Sequence, residues 1–215
     1  MPTYNANIIP LGTSGAQYIA GVSSITASTA QDTPQTLATG VDYILAGWSR
    51  SGSGYRARQG LLSFDLAAGA IPQGSIIESA TLKLNGVDFA TNPDTQNVQC
   101  FLADWDGVGA LALSDWEAMS GLSSADWAVD ADYTFPVGSY GEVTNNLVAS
   151  AITRLQSRLD AGGYMTFMFA SDYGVAGQTG IAFDDWYVEI DTTSTVPVLA
   201  ITYRSPDGLM LSHNF

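Results

Sequence analysis

Residues 61–66, LLSFDL, place Leu62, Phe64 and Leu66 on one side and Leu61, Ser63 and Asp65 on the other, because successive side chains of an extended strand point to opposite faces. Ile71-Pro72-Gln73-Gly74 then carries turn chemistry: proline fixes its own φ, and glycine tolerates a positive one. The alternation resumes with Ala80, Leu82 and Leu84 against Thr81, Lys83 and Asn85. A period of two predicts antiparallel strands with one face on a core and the other in water. By the same reading VDYILAGW (41–48) is a buried strand. QNVQCFLADW (96–105) turns Val98, Cys100 and Leu102 inward, with Cys100 a small core residue. YMTFMFAS, IAFDDWYVEI and PVLAITYR give three more strands towards the C-terminus. Arg56 and Arg58 share the face that leads into Leu62 and Phe64. They are expected to serve folding, because a guanidinium lays its stem on apolar surface while pairing a carboxylate.

One segment breaks the period. In VTNNLVASAITRLQSRLDAGG (143–163), Leu147, Ala151, Ile152, Leu155 and Leu159 recur as a helical stripe. Thr144 or an asparagine is the expected N-cap, and Gly162-Gly163 the stop. Arg154 and Arg158 fall in the C-terminal half, where the helix dipole favours cations, and read as a solvated face. Residues 104–138 read as loop, with Trp105, Trp116 and Trp127 among aspartates. The prediction is an all-β protein, an antiparallel jelly-roll β-sandwich with one short α-helix, spanning residues 21–204. Residues 1–20, with weak periodicity and Pro2, Pro10 and Gly12, read as an N-terminal arm, and residues 205–215 as a tail. Ile8, Ile9 and Leu11 in the arm, and Leu209, Met210, Leu211 and Phe215 in the tail, are the predicted assembly contacts. Apolar ends on a soluble domain call for a covering surface, either a partner's or the domain's own sheet.

The chain has 215 residues, which suits one large β domain, and 46% hydrophobic residues supply its core. Twenty-one acids against seven lysines and arginines give a formal charge of −14. That sign repels phosphate backbones and anionic lipid, so neither nucleic acid nor a membrane is an expected partner. A single cysteine forms no intrachain disulfide. The first 21 residues lack the basic and apolar regions of a secretory signal, and no apolar run approaches the roughly 18 residues of a membrane span. Yet the composition, poor in lysine and rich in threonine, glycine and aromatics, is that of an extracellular β-protein.

The runs LLSFDL and IPQGSIIESATLKL, a tryptophan-bearing loop, a short helix before GGYMTFMFAS and a closing PVLAITY together resemble the DNRLRE domain family across about residues 22–204. Members show a basic residue before an LLxFDL strand, then a Pro-x-Gly turn and an SATLxL strand. The resemblance implies a carbohydrate-binding-module-like jelly roll of extracellular and surface proteins. The chain departs from the family in residues 106–138, which lack its TW motif.

The only histidine is His213, near the chain end and a poor base for a nucleophile. His/Cys metal clusters are excluded by count, GSGYRAR has the wrong spacing for a phosphate loop, and no motif singles out a glycosidase carboxylate pair. No enzymatic activity is expected. Asp104 and Asp106 before Gly107 resemble the start of a calcium loop, with Asp126, Asp130 and Asp132 a second acidic group; solvated turns are the simpler reading of both. Trp48 and Tyr55 flank the loop that holds Arg50, so these three are the candidate glycan contacts, with most other tryptophans serving as packing residues. Two functions follow as expectations. One is a structural or attachment protein of a phage or phage-like particle: a head decoration, head spike or tail fibre component. It would be a homo-oligomer, docked on capsid or tail proteins and touching host glycan, assembled in the cytoplasm and released by lysis. The alternative is a secreted carbohydrate-binding or adhesion module of a bacterial surface protein.

Overall fold

The computed structural model describes residues 2–10, 16–21, 27–32, 34–39, 42–51, 54–88, 97–105, 111–177 and 187–206. In chain order they form β1 (Thr3–Ile8), β2 (Ala16–Gly21), α1 (Ala27–Asp32), β3 (Pro34–Thr39), β4 (Tyr43–Ser51), β5 (Gly54–Asp65) and β6 (Ile76–Asp88). There follow β7 (Val98–Leu102), β8 (Gly141–Asn146), α2 (Ala149–Ala161), β9 (Tyr164–Ser171), α3 (Asp172–Ala176), β10 (Val188–Asp191) and β11 (Val198–Arg204). The strands are laid out in the order β1-β11-β6-β10-β4-β5-β2-β3, with β8 added on β6, β9 on β5 and β7 on β9. Pairing between these strands is antiparallel throughout. The fold is all-β, as the alternation predicts.

Strand β4 joins the two halves. Tyr43–Ala46 pair with β10, and Gly47–Ser51 pair with β5. The sheet curls here, and β5 passes so close to β4 that a Cβ on Gly60 would lie 2.9 Å from Ile44 Cδ1 and 3.2 Å from the Leu45 carbonyl oxygen. Only glycine fits without displacing backbone. The curl brings Leu82, Leu84, Ile190 and Ile201 of one half against Leu62, Phe64, Phe167 and Phe169 of the other, in one apolar core that also holds Cys100. Phe64 meets Phe167 edge-on at 5.8 Å between centroids, and the buried Tyr133 hydroxyl donates to the Leu82 carbonyl at 2.8 Å. Burial raises the Cys100 thiol pKa well above its ordinary value, which suits a packing role.

Several expectations are corrected. Residues 1–20 are not a free arm: β1 pairs with β11 from Thr3↔Arg204 to Ile8↔Leu199, and β2 pairs with both β3 and β5. Ile8 therefore faces the core, only 2% exposed, and is no assembly contact, while Ile9 stands out at 58%. The second face of β5 is not wet either. Tyr55, Ala57 and Leu61 lie in a separate apolar cluster with Trp48, Phe101, Met168, Trp105, Trp116 and Met119. Here Gln59 is bonded through its side chain to the backbone of Glu117, Ser63 accepts a 3.0 Å bond from the Thr166 hydroxyl, and Trp116 Nε1 donates to the Gln31 carbonyl at 2.9 Å. The segment from Leu111 to Trp127, read as surface loop, is thus the cover of this half-sheet. Helix α2 starts at Ala149 rather than near Thr144, because residues 141–146 are claimed by pairing with β6. Its Ala151, Leu155 and Leu159 are buried and Gly162, at φ 66°, ends it as expected. Two further short helices, α1 and α3, join it. Leu11, Leu209, Met210, Leu211 and Phe215 lie outside the described residues.

Arg58 is buried, with its guanidinium 5.0 Å from the centre of the Tyr187 ring. That is a packing position on an aromatic face, while Arg56 points to solvent.

Candidate functional site

The residues singled out for chemistry do not converge. Trp48 is fully buried and Tyr55 nearly so, the two rings stacked 5.6 Å apart inside the second apolar cluster. Neither presents a free ring face to a sugar, and the expectation of a glycan platform there is corrected. The Arg50 backbone pairs with Tyr55, but its side chain lies outside the described residues. Asp104 is exposed and bonded to Arg154 at 3.0 Å, and the same guanidinium donates to the Ala103 carbonyl at 2.8 Å. Asp106 lies outside the described residues. Asp126 accepts from the Ser123 amide and hydroxyl, and Asp130 from the backbone and side chain of Asn146. Among the described residues no three His, Cys, Asp or Glu side chains are grouped to hold a metal ion. Asp104 acts as an ion-pair partner, and Asp126 and Asp130 as acceptors for neighbouring backbone and side chains.

A different site forms on the outer face of the β4-β10-β6 half. Ile190 points into the core, so its neighbours Glu189 and Asp191 point outward. Register places Asp191 opposite Tyr43, and the Thr192 amide bonds the Asp42 carbonyl at 3.0 Å. Asn85 leans outward from β6, one residue past the core-facing Leu84. The chain before β8 closes the other side: the Asp88 amide donates to the Pro136 carbonyl and the Gly138 amide to the Asp88 carbonyl, both at 3.0 Å. That loop folds tightly enough that a Cβ on Gly141 would lie 2.6 Å from Pro136 Cγ. It delivers Tyr140, whose hydroxyl donates to Glu189 Oε1.

The resulting cleft, about 360 Å³, is lined by Asp42, Tyr43, Asn85, Tyr140, Glu189, Asp191 and the hydroxyl-rich turn Thr193–Thr195. Its volume falls in the range of small-molecule sites, about 300–1,000 Å³. Tyr43 is 39% exposed and Tyr140 48%. Burial alone would raise the Asp191 carboxyl. The amides of Thr193, Ser194 and Thr195, at 2.8–2.9 Å, and the Thr193 hydroxyl outweigh it and hold the group below its ordinary pKa. Asp191 is therefore a fixed negative charge that shapes the turn. Tyr140 has its phenol pKa pushed up by burial, by its bond to Glu189 and by the charges of Glu189 and Asp191, so it stays a neutral donor. The arrangement offers two ring faces, a carboxamide, hydroxyls and carboxylates around one concavity. A second hollow, about 420 Å³ between Leu66–Gln73 and the end of α2, is lined mainly by aliphatic side chains and backbone and offers no comparable convergence.

No single sequence stretch announces the cleft, since its lining comes from residues 42–43, 85, 140 and 189–195. The available signal was the placement of Tyr43, Glu189 and Asp191 at outward positions of strands whose other faces are apolar.

No protein-family model and no curated protein matches the chain. Among solved structures, the chain is similar to the K3 cleaved adhesin domain of Lys-gingipain from Porphyromonas gingivalis W83, at 11% identity and a TM-score of 0.35, covering 91% of this chain and 97% of that one. It is similar also to the K1 cleaved adhesin domain of the same protein, at 11% identity and a TM-score of 0.32, covering 93% and 98%. Resemblance at this level assigns neither a family nor a ligand. No helix among the described residues is long and apolar enough to cross a membrane.

Proposed function

We propose that the protein is a non-enzymatic carbohydrate-binding or adhesion module, working outside the cell or at a surface, with its glycan seated in the Tyr43–Tyr140 cleft. The observation that carries this reading is the contrast between aromatics. Trp48, Trp105 and Trp116 are buried as packing residues, whereas Tyr43 and Tyr140 stand exposed on either side of a concavity lined with hydrogen-bonding groups. A sugar presents apolar C–H faces and a rim of hydroxyls, and this pairing of ring faces with polar groups matches both. A binding role is favoured over catalysis because both Asp191 oxygens are spent on its turn, which keeps it from serving as a proton donor. The block that resembles the DNRLRE family supplies β5, the turn and β6, and of these β6 reaches the cleft through Asn85.

Docking on a phage particle through free ends loses half of its basis, because the N-terminal segment is built into the sheet. Affinity electrophoresis in gels containing neutral or amino-bearing polysaccharides tests the proposal. The wild-type protein is expected to be retarded by at least one of them, and folded Tyr43→Ala and Tyr140→Ala variants to migrate freely. Equal retardation of wild type and both variants, or no retardation in any gel, overturns it.

A further inference from the structure

We infer that the cleft selects its sugar by charge, taking a 2-amino-2-deoxyhexose unit with a free ammonium group in preference to the N-acetylated or uronic acid counterpart. The inference rests on reading the cleft as a glycan site and adds the class of glycan. Three of the nine lining residues are acids, Asp42, Glu189 and Asp191, and none is a lysine, arginine or histidine. None of the chain's seven lysines and arginines is among the lining residues. Arg50, Arg56 and Arg58 sit on the β4–β5 hairpin and Arg158 on α2. Lys83 is held by Glu142 at 3.1 Å, Arg154 by Asp104 at 3.0 Å and Arg204 by Glu78 at 2.7 Å. Lys83 stands two residues from Asn85 on the same face of β6, and Glu142 neutralises it there, so the described residues leave the cleft acidic.

The acids do not stand alone, because the two exposed tyrosine rings border them. An ammonium beside a ring face gains from the ring quadrupole as well as from the carboxylates. Glu189 is oriented by the Tyr140 hydroxyl on Oε1, so the charge and the ring are held together rather than on independent flexible side chains. An N-acetyl group removes the cation and leaves only stacking and hydroxyl contacts. A uronate brings a like charge against three carboxylates on a protein of formal charge −14.

Calorimetry on the intact protein at pH 6, with glucosamine, N-acetylglucosamine and galacturonate tetramers, reads the preference. At about 50 mM salt the amino tetramer is expected to bind about tenfold tighter than the acetylated one, the sum of a partly exposed ion pair and a cation–π contact. The advantage should shrink several-fold at about 500 mM, where the Debye length falls well below 10 Å. Galacturonate should not bind, and Glu189→Gln should cut the amino-over-acetyl ratio to about twofold. Equal affinities for amino and acetylated tetramers, or any binding of galacturonate, overturns the charge inference while leaving the glycan site standing. Amino-tetramer binding that survives in a Tyr43→Ala/Tyr140→Ala double variant overturns it as well, because diffuse attraction to an acidic surface then explains the result. No binding by any tetramer defeats the site and the inference together.

Discussion

Replacing Ile8 by alanine removes three carbons from a side chain that is 2% exposed and lies in the main core. At about 0.8 kcal/mol per buried carbon the transfer loss is about 2.4 kcal/mol. The space left behind adds to it, and measured Ile→Ala changes span about 2–5 kcal/mol. β1 pairs only with β11 among the described strands, so the site can collapse partway and the expected loss is about 2.5–3.5 kcal/mol. For a chain of this size each kcal/mol moves Tm by about 2–4 °C, so thermal unfolding followed by circular dichroism should show a fall of about 5–14 °C. Ile9, the exposed neighbour, provides the control: Ile9→Ala should stay within about 0.5 kcal/mol of wild type. A second variant checks the geometry. The Ile8 Cδ1 atom lies 2.7 Å from where a Gly69 Cβ would be. Gly69→Ala should therefore destabilise the wild type but partly restore the Ile8→Ala protein by filling its space. A Tm within a degree of wild type for Ile8→Ala, or equal effects of Ile8→Ala and Ile9→Ala, would refute the strand assignment and return the segment to a free arm.

Other substitutions test the interior. Phe64→Ala should cost about 3–5 kcal/mol by chemical denaturation, since Phe64 is fully buried against Phe167; a normally melting variant would put the β5 register off by one. Tyr133→Phe removes a buried hydroxyl from the Leu82 carbonyl and should cost about 1–2 kcal/mol, measured the same way. Asp132 is raised in pKa by burial and then by the charge of Asp172, with a bond from Gln99 pulling the other way, and its Oδ1 is buried without a partner. A raised folded-state pKa favours folding in acid, and this contribution is lost as the pH climbs through that pKa. Asp132→Asn should thus raise Tm at pH 7 and lose its advantage near pH 4; a Tm gain independent of pH would exclude the charge as its cause.

Leu62, Phe64, Ala80, Leu82 and Leu84 were legible because β5 and β6 are long and their inward residues large, so the period of two stands out. The N-terminal strand was not. In β1 only Ala6 and Ile8 alternate inward, and its partner β11 lies almost 200 residues away, so nothing local marks TYNANI as part of a sheet. Leu61 on the second face of β5 was read as wet because a strand pattern does not reveal that a distant segment, Leu111–Met119, covers it. The same blindness put Trp48 and Tyr55 in a binding site: an aromatic beside a glycine-rich loop reads alike whether its ring is stacked inside or bare. The cleft was hidden for the converse reason. Tyr43 and Tyr140 become neighbours only when β4, β10, β6 and the loop before β8 are laid side by side.

The central claim, that the outer face around Tyr43 and Tyr140 is the ligand site, is tested most directly by mapping it. The 22.6 kDa chain suits two-dimensional amide NMR. Titration with a soluble amino-oligosaccharide should shift the resonances of residues 42–43, 85, 140 and 189–195 together along one saturating curve, and leave Trp48, Tyr55 and the Leu111–Trp127 cover in place. Saturating shifts centred on the β4–β5 hairpin or on residues 104–130, with the cleft unmoved, would contradict the account.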